Sequence, residues 1–320
     1  MGPKGIWTTG IVFVVFLVAA GFALWAATGE DVWAQIRLIT GGQILLLLVL
    51  SLFNYLFRGL RWHLFQTALG IPLSRLAAIR HYLGGFGLTM TPARLGELVR
   101  LRWITQESAL GAERVAPLVV VDRAGDLAAM AVVLGVALGF SATGIAGGLP
   151  VAILALVAAV LATRPKTFEI LIGISYRLTG WQSRLFVKGR RAARALGPFS
   201  RAGVVLPALA LGVAGWFAEA YAFHLLLLWM GVDIGLWSAV AIFIFAMISG
   251  GATGMPGGVG GAEAVMIALL TLEGVPLEAA IPATAIIRIT TLWFAVGLGI
   301  ATFPLAEGYA ARKKHALENG

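Results

Sequence analysis

Ten ionisable side chains sit in stretches otherwise apolar enough to cross a membrane: Arg94, Glu97, Arg100, Asp122, Arg123, Asp126, Glu219, His224, Glu263 and Arg288. An ionisable group at membrane depth costs about 2.5–3.5 kcal/mol on insertion scales, so each one calls for a reason. On a helix Glu97 and Arg100 share a face, as do Asp122 and Asp126, and Arg123 and Asp126. Mutual neutralisation accounts for Arg123 with Asp126, and for Arg288 with a carboxylate such as Glu263, but it leaves arginines over. Arginine forks match phosphate oxygens. The breaks at Thr91-Pro92-Ala93 and Pro256-Gly257-Gly258 are expected to present backbone N–H groups at helix N-termini, which attract anions. Gly257 and Gly258 allow a close backbone approach. A phosphate site is therefore expected at Pro92, Arg94, Arg100, Arg123, Pro256, Gly257, Gly258 and Arg288. Glu97, Asp126 and Glu263 are placed to gate movement or to couple it to protons.

Other chemistries find little support. The histidines at 63, 81, 224 and 315 form no HExxH spacing, and neither a GxSxG elbow nor a Walker A loop occurs. With no cysteine, thiolate catalysis, disulfides and Cys-based metal sites are excluded. No cofactor and no enzymatic activity are expected.

The elements that must position these groups are membrane spans. Of 320 residues, 59% are hydrophobic and 12% charged, where a soluble domain carries about a quarter charged. That rules out a soluble enzyme, a nucleic-acid-binding domain and a disordered chain. Runs near the roughly twenty residues a span needs lie at 6–27, 38–57, 115–140, 149–163, 203–228 and 280–303. The first resembles a signal peptide behind Lys4 but lacks a cleavage site, so it reads as a retained span. Two more stretches, 76–104 and 236–273, are broken in the middle and read as re-entrant helical hairpins, since non-helical backbone survives at that depth only where protein or water satisfies it. Eight tryptophans (7, 25, 33, 62, 103, 181, 229 and 237) fall near span ends, where aromatic belts belong.

The net charge is +9, of which residues 164–201 supply +8. That segment reads as a cytoplasmic amphipathic loop on anionic headgroups rather than a nucleic-acid site. With it inside, both termini are cytoplasmic, and Arg58, Arg61, Arg75 and Arg80 fall on the cytoplasmic side beside the first hairpin.

The two hairpins repeat a pattern. In each a proline is followed four residues later by glycine (Gly96, Gly260) and soon after by glutamate. Pro92 to Arg123 is 31 residues and Pro256 to Arg288 is 32. Residues 38–140 and 203–303 thus read as two span–hairpin–span units inserted with opposite orientation, the architecture of secondary transporters with a midplane site. The expected fold is an all-α polytopic membrane protein of six spans and two re-entrant hairpins, one membrane domain over 1–320.

Arg61-Trp62, P-x-R-x-G-E-x-x-R from Pro92 to Arg100, PGGVG at Pro256–Gly260 with Glu263, and an arginine in each following span resemble the lysylphosphatidylglycerol synthase transmembrane (flippase-like) family over about 38–303. The resemblance implies a bacterial or archaeal inner-membrane protein that moves lipids between leaflets. Synthase members continue into a soluble aminoacyl-transferase domain. The short stretch after Pro304 leaves no room for one, so that activity is not expected. The leading expectation is a flippase-like transporter of an anionic phospholipid or polyprenyl-phosphate-linked lipid. A membrane-embedded transferase on a lipid phosphate, and a non-transporting partner of a glycosyltransferase or aminoacyl-lipid synthase, are the competitors. Gly135 and Gly139 would suit packing within one chain or in a homo-oligomer.

Overall fold

The computed structural model describes residues 37, 39–91, 95–141, 145, 147–163 and 196–319. The span expected at 6–27, the basic loop over 164–195, Pro92, Arg94 and the side chain of Glu97 lie outside the described residues.

Thr40 opens α1 (Gly41–Ala68) with a reciprocal cap. Its hydroxyl accepts from the Gln43 N–H at 3.3 Å, and the Gln43 side-chain oxygen accepts the Thr40 N–H at 2.8 Å. The helix continues eleven residues past the expected span end at 57. Tyr55, Arg58, Arg61-Trp62 and Phe65 recur at helical spacing on its buried face, so the run of apolar and basic residues is one helix. Arg58 and Arg61 are therefore not interfacial charges; they are 8% and 0% exposed.

The 76–104 stretch folds as two short helices packed on each other. These are α2 (Arg75–Phe86), whose Ser74 hydroxyl caps the Ala77 N–H, and α3 (Leu95–Ser108). A turn α4 (Ala112–Val115) leads to α5 (Pro117–Phe140), where Pro117 stands at the helix start and its missing N–H costs nothing. Then follow α6 (Gly148–Thr163) and α7 (Ala202–Trp229). The 236–273 stretch also folds as a pair, α8 (Leu236–Ala252) and α9 (Gly261–Leu272), joined through a tight turn at Pro256–Gly258. Last, α10 (Leu277–Arg288) passes through a π turn at Ile289–Trp293 into α11 (Phe294–Asn319). The span expected to end at 303 thus runs on as helix through Pro304.

Among the described residues there is no strand, and three helices are long and apolar enough to cross a membrane: Gly41–Ala68, Ala202–Trp229 and Leu277–Leu317. The protein is an all-α polytopic membrane protein. Outward side chains such as Leu154 and Leu206, 66% and 64% exposed, are what a lipid-facing surface requires.

Close packing in lipid relies on small residues. A Cβ at Gly215 of α7 would stand 2.6 Å from Asn54 Oδ1 of α1, and one at Gly212 2.8 Å from Ala129 of α5. Three apolar clusters form among the described residues. One gathers Phe223, Leu226, Phe243 and Ile287, another Trp62, Phe65, Tyr82 and Leu118, and a small third Leu88, Trp103 and Phe303. The aromatic-belt expectation fails at Trp62 and Trp103, which are 1% and 0% exposed, because the helices carrying them run deeper into the protein than their charges suggested.

Candidate functional site

Arg58 and Arg61 stand one turn apart on α1, and Asp122 and Asp126 one turn apart on α5, so the two helices face each other with matched charges. Arg58 Nη2 lies 2.5 Å from Asp126 Oδ2. Arg61 Nη2 lies 2.6 Å from Asp126 Oδ1 and 2.7 Å from Asp122 Oδ1. Glycines make the room: a Cβ on Gly125 or Gly212 would stand 3.4 or 3.0 Å from the Arg61 guanidinium. Arg58 also lies over the Trp216 ring, 5.1 Å from its centroid.

Arg100 reaches the same place from α3. Its guanidinium stacks 4.1 Å from the Tyr82 centroid and 5.4 Å from that of Phe86, and Nη1 is 3.7 Å from Asp122 Oδ2. Its Nε is buried with no hydrogen-bond partner. Gly85 leaves space for this side chain, since a Cβ there would stand 2.8 Å from Arg100 Cγ. Arg123, its side chain 38% exposed, lies 3.7 Å from Asp126 Oδ2. The expected Arg123–Asp126 pair is therefore secondary, because Arg58 and Arg61 hold Asp126 more closely.

At the other hairpin, Arg288 Nε donates to Glu263 Oε1 at 2.5 Å and Nη2 to the Gly257 carbonyl at 2.8 Å. The second Glu263 oxygen accepts the Gly260 N–H at 2.7 Å. The Gly258 and Val259 N–H groups close the turn on Met255 and Pro256 carbonyls. The expected donor set at Pro256-Gly257-Gly258 is thus narrowed, since Pro256 has no N–H and that of Gly258 is taken. The donors at 258–260 are spent within the hairpin, and Gly257, at φ +62°, presents its carbonyl to Arg288. Arg288 is correspondingly a brace for the tip.

The two regions share one cavity of about 610 Å³. Arg58, Arg100, Arg123, Arg288, Asp126 and Glu219 line it with Tyr55, Gly257 and Gly258, while α6 contributes an apolar wall of Val151, Leu154, Ala155 and Ala158. Of the expected site residues, Arg100, Arg123, Asp126, Arg288, Gly257 and Gly258 come together here. Pro256 and Glu263 do not line it. The hairpin turns meet beside it: Met90 is the nearest neighbour that a side chain on Gly257 would strike. Tyr55 donates to the Thr291 carbonyl at 2.5 Å, tying α1 to the π turn, a helix irregularity frequent at functional sites.

Sequence reasoning missed Tyr55, Arg58 and Arg61, and gave Glu219 no role. The continued 3–4 spacing of Tyr55, Arg58, Arg61 and Phe65 was the signal. It also missed a second polar cluster that ties the first hairpin to α11. There Glu307 accepts from Arg102 and from Trp103 Nε1, and Glu107 meets Arg80 at 2.6 Å and His81 at 2.8 Å.

Known proteins resemble this chain over the same regions. The model of a family described as "Lysylphosphatidylglycerol synthase TM region" matches residues 9–299. A "UPF0104 membrane protein" of Methanothermobacter thermautotrophicus (strain Delta H) is 25% identical over 292 residues, covering 82% of this chain and 83% of that protein. Another "UPF0104 membrane protein" of that organism is 28% identical over 136 residues, covering 42% and 38% respectively.

Proposed function

The chain belongs to the lysylphosphatidylglycerol synthase TM-region family, and from that premise we propose that it is a flippase-like transporter. Its cargo would be an anionic, phosphate-bearing lipid, either a phospholipid or a polyprenyl-phosphate-linked lipid, moved between the leaflets of a bacterial or archaeal inner membrane. The observation that carries the reading is the amphipathic cavity. Arg58, Arg100 and Arg123 stand in it together, against an apolar wall from α6. A volume of about 610 Å³ falls within the ~300–1,000 Å³ of small-molecule sites. It suits a phosphorylated headgroup, whose acyl or prenyl tail would lie along α6 in the bilayer.

Arg100 is the best-prepared phosphate donor. Aromatic stacking fixes its plane, its closest carboxylate among the described residues is 3.7 Å away, and its Nε is unspent. Arg123 is the second, at a partly open position. Arg58 contributes field more than hydrogen bonds, because Asp126 already holds it. In this proposal residues 38–140 and 203–303 are the two inverted repeats. Their rocking would open the cavity to each leaflet in turn, with both termini cytoplasmic.

The test is lipid mass spectrometry on protein purified in mild detergent, with Arg100→Ala/Arg123→Ala beside wild type. Wild type is expected to retain one phosphate-bearing lipid class, at least tenfold depleted in the double variant. Identical bulk phospholipid in both would remove the phosphate-site reading.

A further inference from the structure

Among the described residues four carboxylates belong to the polar cluster around the cavity, and three are committed to arginine. Asp126 takes two close contacts at 2.5 and 2.6 Å, Asp122 one at 2.7 Å and Glu263 one at 2.5 Å. Glu219 differs. It lines the cavity from α7, is 4% exposed, and has no arginine within ion-pair distance among the described residues. The groups that face it are Asn54, Tyr55 and Arg58 of α1, Asp126 of α5 and Arg288 of α10. The adjoining α8 has no titratable residue, and Tyr221 and His224 are the other titratable groups on α7. Both arginines are held by other carboxylates, Arg58 by Asp126 and Arg288 by Glu263.

We propose that Glu219 is the proton-binding site of the cavity, loading a proton together with a phosphate-bearing headgroup. The inference rests on the phosphate reading above. Five arginines (58, 61, 100, 123 and 288) face Asp122, Asp126, Glu219 and Glu263, so with every group ionised the described cluster carries one positive charge. An anionic headgroup in the same cavity repels an ionised Glu219, whose burial at 4% exposure makes charges act on it strongly. Protonation removes that repulsion, and by linkage anion and proton each tighten the other's binding. The three committed carboxylates are poor alternatives, because protonating them breaks close ion pairs with arginine, buried ones at Asp122 and Asp126. The proton moves from solvent to a Glu219 carboxylate oxygen on loading and back to solvent on release, with no other bond made or broken.

The experiment is calorimetric titration of the detergent-purified full chain with dihexanoyl phosphatidylglycerol, a phosphodiester whose own charge is constant from pH 5 to 8. Two buffers of different ionisation enthalpy count the protons taken up. Wild type is expected to bind about tenfold more tightly per pH unit of acidification where the linkage operates, taking up close to one proton per lipid. Glu219→Gln, which keeps the side-chain shape, is expected to bind with the affinity of acidified wild type at every pH and take up none. Wild-type binding without pH dependence or proton uptake would overturn the proposal and leave the phosphate site standing. So would a Glu219→Gln protein that still takes up a proton. Absence of binding by wild type at any pH would overturn both. Because wild-type proton uptake is read directly, a Glu219→Gln protein that failed to fold would still leave the proposal exposed to refutation.

Discussion

The α1–α5 charge cluster and the α8–α9 hairpin tip both set arginine against carboxylate, yet they hold it differently. In the first, two arginines and two aspartates form a closed network, each residue below 9% exposed, walled by Trp216, Gly125 and Gly212. In the second, a single arginine spans one carboxylate, one carbonyl and the Met247 sulfur, and the Glu263 side chain is 26% exposed. A network of several buried contacts has no intermediate state, since losing one partner strands the others. A single brace with one foot near water has two states. The first region behaves as a fixed post, and the second as a latch on the hairpin beside it.

The largest expected effect follows from breaking the post. Arg61→Ala leaves Asp122 without its close partner and Asp126 with one fewer, and should cost about 3–5 kcal/mol. It would be read as loss of monodisperse protein or a sharp fall in detergent melting temperature. Arg288→Ala should cost less, about 1–3 kcal/mol, because Glu263 reaches solvent and still caps the Gly260 N–H. Its sharper signature is local: increased hydrogen exchange confined to residues 253–263, with α1 and α5 unchanged. If both variants melted alike with exchange spread over the whole chain, the distinction between post and latch would be lost. The smallest effect belongs to Glu307→Gln. The Arg102 and Glu307 side chains are 38% and 41% exposed, and such pairs contribute about 0–1 kcal/mol. Its melting temperature should stay close to wild type.

Much of the fold was legible because apolar runs and their breaks are one-dimensional signals. Both broken stretches, 76–104 and 236–273, fold as paired short helices, since Gly and Pro interrupt a helix whatever surrounds it. What stayed hidden depends on partners distant in sequence. Arg58 and Arg61 carry the marks of a cytoplasmic flank, and only Asp122 and Asp126, more than sixty residues away, explain how they are buried. The same holds at the hairpin tip. The glycines at 257–260 announce a turn that could bind an anion, but the N–H groups of Gly258, Val259 and Gly260 are consumed by Met255, Pro256 and Glu263. Arg100 was read as a phosphate ligand from its charge, while the aromatic shelf of Tyr82 and Phe86 that orients it came only with the folded helix pair.

The crossing of the first hairpin over α11 has a consequence of its own. A Cβ on Gly87 would stand 3.0 Å from the Gly299 carbonyl carbon, so the two segments meet main chain to main chain, with no side chain between them. Interlocked side chains resist both sliding and turning, whereas bare backbones in contact resist approach alone. At its far end the same hairpin is pinned to α11 by Arg102, Trp103 and Glu307. Around the bare contact, Trp103 packs on Phe303 and Ala306, and Arg80 lies over the Tyr309 ring: the crossing sets how closely the segments approach, and these neighbours set the angle.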